Sequence, residues 1–176
     1  MKTATSPRKK KAAARAGKRS PSRTPAVNIK RILVPLDGSN HALKALYYAV
    51  HLAKLFGSRV DTLRVVEPTV YPEGLSIPQR SYNQDDLAMK LAREQARAVG
   101  GRMIPDGVKW RNKVISGNPY AEIVNYARKE KTDLLVLTTH GHTGLKHFLL
   151  GSNAEKITRH APCPVLVVRD KEHDFV

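Results

Sequence analysis

The sequence lacks several features that would assign a protein to a common class. Its one cysteine, Cys163, excludes an intrachain disulfide and fits a reducing compartment. No run of about 18 apolar residues occurs, so the sequence contains no candidate for a membrane-spanning helix. The N-terminal region also lacks the apolar segment of a secretory signal. These absences together predict a cytoplasmic protein.

The common enzyme signatures are missing as well. The sequence has no G-x-x-x-x-G-K-[ST] phosphate loop, no G-x-G-x-x-G dinucleotide motif and no G-x-S-x-G nucleophile elbow. No pair of carboxylates stands out for acid–base chemistry. His140, His142 and His147 lie in one segment, but no thiolate pair or His-Glu helix motif accompanies them, so we predict no metal site. Catalysis is therefore not the default function.

Acidic residues are absent from residues 1–28, which carry nine of the 31 Lys and Arg residues. This segment has almost no large apolar side chain and is predicted to be disordered. Three functions remain open for it. Its clustered cations could bind nucleic acid non-specifically through the phosphate backbone, it could be an organellar transit peptide, or it could simply keep the protein in solution.

Residues 29–172 have the pattern of one folded domain in which strands and helices alternate. Residues 68–84, with three prolines and a glycine, are predicted to form a long loop. The alternation predicts an α/β fold with a mainly parallel, doubly wound sheet. The predicted strands are Ile32–Leu36, Val60–Val66, Val108–Ile115, Leu134–Thr138 and Val165–Arg169. The predicted helices run from Ser39 to Gly57, from Asp85 to about Val99, over Tyr120–Lys131, and from Ser152 to about His160, with Gly100-Gly101 ending the second.

Ligands of such sheets bind beyond the carboxyl ends of the strands, where the strand order reverses. The loop after the first strand carries Pro35, Leu36 and Asp37 at this place. A carboxylate at the end of an apolar run can accept hydrogen bonds from ribose hydroxyls. It can equally bond the amides of its own turn, and the spacing does not choose between the two.

The loop after the fourth strand begins with Thr138-Thr139-His140-Gly141 and ends with Gly151-Ser152-Asn153. Glycine at 141 and 151 permits a close approach of the backbone to a ligand. Unpaired amides at the start of the following helix favour an anion. The segment Ser152-Asn153-Ala154-Glu155 also matches the S-x-x-E capping box of an ordinary helix start. Anion binding and capping are therefore alternatives here.

Three segments carry a resemblance to a known family. Ile32–Ser39 (ILVPLDGS), Gly117–Pro119 and above all Thr139–Val168 (THGHTGLKHFLLGSNAEKITRHAPCPVLVV) closely resemble the universal stress protein family, over about residues 29–170. The resemblance implies a five-stranded parallel sheet in the order 3-2-1-4-5, helices on both faces, and a homodimer formed through the last strand. The family's ATP-binding branch carries G-2x-G-9x-G-[ST]. This chain keeps that spacing, with Thr138 in place of the first glycine.

The resemblance implies that the chain binds ATP or AMP, with Mg²⁺ carried on the phosphates. Asp37 would face the ribose, and the backbone of Val60 would meet the edge of the adenine. The full set of implied nucleotide-binding residues is Pro35, Leu36, Asp37, Val60, Thr138, His140, Gly141, Gly151, Ser152 and Asn153.

The resemblance implies a regulatory or sensing module in the stress response. If the protein catalyses a reaction at all, we expect a slow ATPase. The alternative is a family member that binds no nucleotide. Such a protein would act through protein contacts, with the basic segment 1–28 associating with nucleic acid.

Overall fold

Strands and helices alternate throughout the described part of the chain. The computed structural model describes residues 27–69, 79–139 and 151–169, with side chains described from residue 85 onward in the second range. The strands in these ranges are β1 (Arg31–Pro35), β2 (Arg59–Val66), β3 (Trp110–Ser116), β4 (Leu134–Thr138) and β5 (Val165–Val168). The helices are α1 (Asn40–Phe56), α2 (Gln79–Met103), α3 (Pro119–Lys129) and α4 (Ser152–His160).

The five strands form one parallel sheet in the order β3-β2-β1-β4-β5. Ile32 of β1 lies between Val60 of β2 and Leu134 of β4. This confirms the predicted parallel α/β fold and its strand order 3-2-1-4-5. Because the strand order reverses between β1 and β4, the loops that follow these two strands diverge and leave a crevice at the carboxyl ends.

Each face of the sheet carries its own core, because successive side chains of a strand point to opposite faces. On one face Ile32 packs with Leu46 of α1. On the other face Leu33 packs with Ile123 of α3 and Ile157 of α4. The helices therefore cover both faces, as a doubly wound sheet requires. None of the described helices combines the length and the apolar character needed to cross a bilayer.

Helices α1, α3 and α4 begin at the predicted residue or within one residue of it. The Ser39 hydroxyl accepts a hydrogen bond from the Ala42 N–H at 3.2 Å, which caps α1. Gly57 follows α1 in the left-handed region, with φ of 66°, and ends that helix. At the start of α3 the Asn118 side chain accepts from a first-turn N–H, and Pro119 occupies the first helical position.

Helix α2 is longer at both ends than predicted. It begins at Gln79, inside the predicted loop 68–84, of which residues 70–78 lie outside the described residues. It also continues through Gly100-Gly101 to Met103. A Cβ on Gly100 would lie 2.4 Å from the Trp110 ring. The prediction of a helix end there was wrong because Gly100 serves the packing of α2 on β3.

Candidate functional site

The crevice at the strand ends is a cavity of about 450 Å³, which we call the strand-end cleft. It lies where β1 leads towards α1 on one face of the sheet while the chain beyond β4 returns as α4 on the other. Its walls come from four parts of the fold: residues 35–37 after β1, residues 63–67 of β2 and just beyond it, the first turn of α3, and the segments 137–139 and 151–154 that flank the end of β4 and the start of α4.

Most of the nucleotide-binding residues implied by the family resemblance lie together in the strand-end cleft. His140 and Gly141 lie outside the described residues, as do His142 and His147. Val60 does not lie with the others. The residues brought together are Pro35, Leu36, Asp37, Thr138, Gly151, Ser152 and Asn153.

Val60 lies at the amino end of β2, opposite the cleft. Its side chain is fully buried in the core, and its N–H donates to the Lys109 carbonyl at 2.9 Å. Val65 is the residue of the same strand that lines the cleft, five positions or roughly 16 Å further along. Val60 therefore does not reach the cleft, and an apolar strand sequence does not tell which of its residues lies at the carboxyl end of the sheet.

The backbone of Val65 faces a gap in the sheet. On the β1 side the last bond of the ladder runs from the Leu36 N–H to the Leu63 carbonyl, at 2.8 Å. On the β3 side the Gly117 N–H donates to the Val66 carbonyl at 3.0 Å. Because the backbone groups of alternate residues face opposite neighbours, the N–H and C=O of Val65 point to the side that β1 has left. The cleft therefore receives one backbone donor and one backbone acceptor from adjacent positions.

Asp37 takes part in its own turn and still presents an oxygen to the cleft. Its Oδ1 accepts from the Ser39 N–H at 2.9 Å and from the Ser39 hydroxyl at 2.6 Å. Both bonds use Oδ1, and no bond to Oδ2 is present in the described part of the chain, which leaves that oxygen for a hydroxyl of a ligand. The two alternatives that the sequence left open for this carboxylate are thus compatible in the structure.

The start of α4 is an uncapped helix N-terminus at the cleft. Gly151 is the N-cap residue, and no side-chain cap bond is present in the described part of the chain, so the predicted capping box with Ser152 as N-cap does not form. The Gly151 N–H donates to the Thr139 carbonyl at 2.9 Å. A Cβ at Gly151 would lie 3.2 Å from that same oxygen. Among the described residues, no side chain occupies the first-turn amides, and the helix dipole favours an anion there.

The comparisons with known proteins agree with this geometry. The family model described as "Universal stress protein family" matches residues 28–169. The chain belongs to the universal stress protein family. Universal stress protein MJ0531 of Methanocaldococcus jannaschii is 37% identical over 140 residues, which cover 80% of this chain and 82% of the relative.

Solved structures of similar fold include two informative ones. Protein MJ0577 of the same organism has a TM-score of 0.72 at 28% identity, over 84% of this chain and 100% of that chain. A universal stress protein in complex with cAMP has a TM-score of 0.55 at 23% identity, over 81% of this chain and 98% of that chain. The second of these shows the fold alone.

One cleft residue of this universal stress protein was not indicated by its sequence pattern. Arg64 lies on β2 between apolar neighbours, and its Nη1 donates to the Leu36 carbonyl at a long 3.4 Å. Burial lowers the pKa of Arg64, and the nearby Asp37 carboxylate opposes this effect. The only sign of this residue in the sequence was an arginine among the apolar residues of T-L-R-V-V. The strand sequence alone does not show what surrounds that charge.

The described residues offer no ready-made cation site, since no three His, Cys, Asp or Glu side chains converge in them. What the strand-end cleft does offer is a carboxylate oxygen at Asp37, a backbone donor and acceptor at Val65, and helix amides at Ser152 and Asn153. This set can bind a ligand that combines hydroxyls, a hydrogen-bonding ring edge and a negative charge.

Proposed function

We propose that this universal stress protein binds an adenine nucleotide, ATP or AMP, in the strand-end cleft and acts as a regulatory module in the stress response. One observation carries the proposal: Asp37, the open backbone of Val65 and the uncapped start of α4 line the same cavity of about 450 Å³. They come from three separate elements, and each group suits a different part of a nucleotide.

The nucleoside half would lie between Asp37 and Val65. Adenine presents an acceptor at N1 and a donor at its amino group, which match a backbone N–H and a backbone C=O. The Asp37 Oδ2 would accept from a ribose hydroxyl, while Pro35 and Leu36 supply apolar contact. A universal stress protein of this fold has been solved in complex with cAMP, and this supports the proposal because it shows that the fold can accommodate an adenine nucleotide.

The phosphates would lie at the start of α4. Its free amides, the Ser152 hydroxyl and Asn153 face the end of the cleft opposite β2, with Thr138 beside them. His140 and Gly141 belong to the proposed site by sequence spacing. Mg²⁺ would ride on the phosphates rather than in a cage of protein ligands.

Gly151→Val tests the nucleotide site. A Cβ at 151 lies a tight 3.2 Å from the Thr139 carbonyl, so that oxygen must shift by a few tenths of an ångström, and the branched valine side chain would crowd the place where the phosphates meet the α4 amides. We expect titration calorimetry with ATP and AMP to show affinity lowered by about tenfold or more. The matched control is Gly101→Val, because a Cβ at Gly101 meets nothing within 4 Å.

The control should bind as the unchanged protein does, and circular dichroism should show both variants folded. Small molecules released by acid from the freshly purified protein would identify the bound nucleotide. If the unchanged protein releases none and titrates with neither ATP nor AMP, the proposal is wrong.

The second candidate function is association with nucleic acid through residues 1–28. The supporting observation is their nine Lys and Arg residues without a single Asp or Glu. Such a segment binds phosphate backbones by releasing counterions and needs no base contacts. This function is compatible with nucleotide binding. It becomes the main one if the strand-end cleft takes no nucleotide and the protein acts through protein contacts.

A homodimer through β5 completes the proposal. β5 (Val165–Val168) is the last strand of the sheet and pairs with β4 in the described part of the chain. Its other edge offers backbone donors and acceptors to a second copy. We also propose a cytoplasmic location, on the grounds given in the sequence analysis.

A further inference from the structure

A second cavity lies on the other side of the β1 loop. It measures about 250 Å³ and is formed between the start of α1 and the middle and end of α2, so we call it the α1–α2 cavity. Two arginines line it, Arg64 of β2 and Arg102 of α2. The described residues that form its wall include no Asp or Glu. Its described wall is therefore positively charged, and the nearest carboxylate that acts on Arg64, that of Asp37, lies outside that wall.

Arg64 belongs to this space by the pleat of β2. Leu63 and Val65 take part in the core on the face of α3 and α4. Because side chains alternate along a strand, Arg64 points to the opposite face, where α1 and α2 pack. Its guanidinium thus extends from the sheet towards Gly38 and the α1–α2 cavity.

The Arg64 guanidinium has fewer hydrogen bonds than its burial demands. Its Nε is buried and has no hydrogen-bond partner among the described residues. Its bond from Nη1 to the Leu36 carbonyl is 3.4 Å long, beyond the usual range for a strong N–H···O bond. A buried donor without a partner costs free energy, and more so on a charged group. Arg64 can therefore donate to a further hydrogen-bond acceptor, which the described side chains do not supply.

The β1 loop is shaped around this guanidinium. Gly38 has φ of 86°, in the left-handed region, and a Cβ there would lie 2.6 Å from Arg64 Nη1. Glycine at this position therefore lets the loop close over the arginine.

We propose that the α1–α2 cavity is a second ligand site, which binds a small oxyanion of the phosphate type between Arg64 and Arg102. Two arginines match such an anion because their planar N–H groups donate in pairs to its oxygens. The cavity has room for a phosphate-sized group and a small remainder, and less room than the strand-end cleft. This site stands independently of the proposed nucleotide site.

Arg102→Gln is the decisive variant. Arg64 lines both cavities, so its removal would disturb both, whereas Arg102 lines the α1–α2 cavity and not the strand-end cleft. Arg102 is exposed near the end of α2, so its replacement should leave the fold intact. Arg97→Gln is the matched control, because Arg97 is an exposed arginine of the same helix outside the cavity. Both variants have the same net charge.

The experiment measures the thermal midpoint of the full chain in inorganic phosphate and in chloride at equal ionic strength. We expect phosphate to raise the midpoint of the unchanged protein and of Arg97→Gln. Arg102→Gln should lose most of that rise, and Gly151→Val, which alters only the strand-end cleft, should keep it.

Three outcomes would overturn the proposal. The first is no rise beyond that in chloride. The second is an equal loss in Arg97→Gln and Arg102→Gln, which would mean non-specific binding to surface cations. The third is a loss in Gly151→Val with none in Arg102→Gln, which would place the phosphate at the start of α4.

Discussion

Asp61 is a nearly fully buried carboxylate near the start of β2, 1% exposed, held between two arginines. Arg59 Nε donates to its Oδ1 at 2.7 Å and Arg59 Nη2 to its Oδ2 at 2.8 Å. Arg111 Nη2 donates to the same Oδ2 at 3.1 Å and to Glu130 Oε2 at 2.6 Å. These charges tie β2 to β3 and to the end of α3 at the edge of the sheet opposite the strand-end cleft.

We expect Asp61→Asn to lower the free energy of unfolding by about 3 kcal/mol, because it leaves the partly buried Arg59 without its counterion and Arg111 with Glu130 alone. Glu155→Gln is the control, since it breaks an ion pair with Arg159 in which both side chains are largely exposed. Such a pair contributes at most about 0.5 kcal/mol. Urea unfolding measures the free energy of unfolding of both variants. Equal losses in the two would show that the burial of Asp61 does not make its ion pairs more stabilising than an exposed pair.

At the scale of elements, β5 decides how copies of the chain can meet. The Pro164 carbonyl accepts from the Leu135 N–H, and the Val168 carbonyl accepts from the Thr139 N–H. Even-numbered residues of β5 thus face β4, and Val167 directs its backbone groups outward. The outer edge is open in the described part of the chain and can pair with a second copy.

Val167→Pro tests the proposed dimer. Proline removes the outward N–H of Val167 without removing a bond to β4, and it is tolerated on an edge strand. We expect sedimentation to show a shift from dimer to monomer, whereas Val167→Ala, which keeps the N–H, should remain dimeric. A dimer that persists in Val167→Pro would place the interface elsewhere.

At the scale of the whole molecule, charge divides the chain into two parts. Residues 1–28 carry nine Lys and Arg residues and no acid, whereas the 15 Asp and Glu residues all lie beyond them. Nucleic-acid binding and nucleotide binding should therefore separate on deletion of residues 1–27, since the family match starts at residue 28.

We expect that deletion to leave ATP or AMP affinity unchanged and to abolish retention on DNA. In the full chain, retention should fall steeply with salt, with a log–log slope of up to about −8 for nine cations. Replacing the nine basic residues by Gln at unchanged length is the control and should act like the deletion. Retention that survives both changes would assign DNA binding to the folded domain.

The sequence by itself determined the features that depend on near neighbours. Alternating apolar runs and helix starts at Ser39 and Pro119 are set within a few residues, so β1, α1, α3 and β4 could be predicted closely. Motif spacing was enough to indicate the family, and through it the strand order and seven of the residues that line the cleft.

Tertiary structure decided what depends on partners distant in sequence. The register of the sheet places Val65, and not Val60, at the cleft. Only the pairing of β2 with β1 shows which residues of β2 extend beyond the end of β1. The packing of Trp110 carries α2 past Gly100. Folding also places the charge of Arg64 between two cavities. A strand sequence specifies which side chains share a face, but the neighbouring strands and helices determine what each face meets.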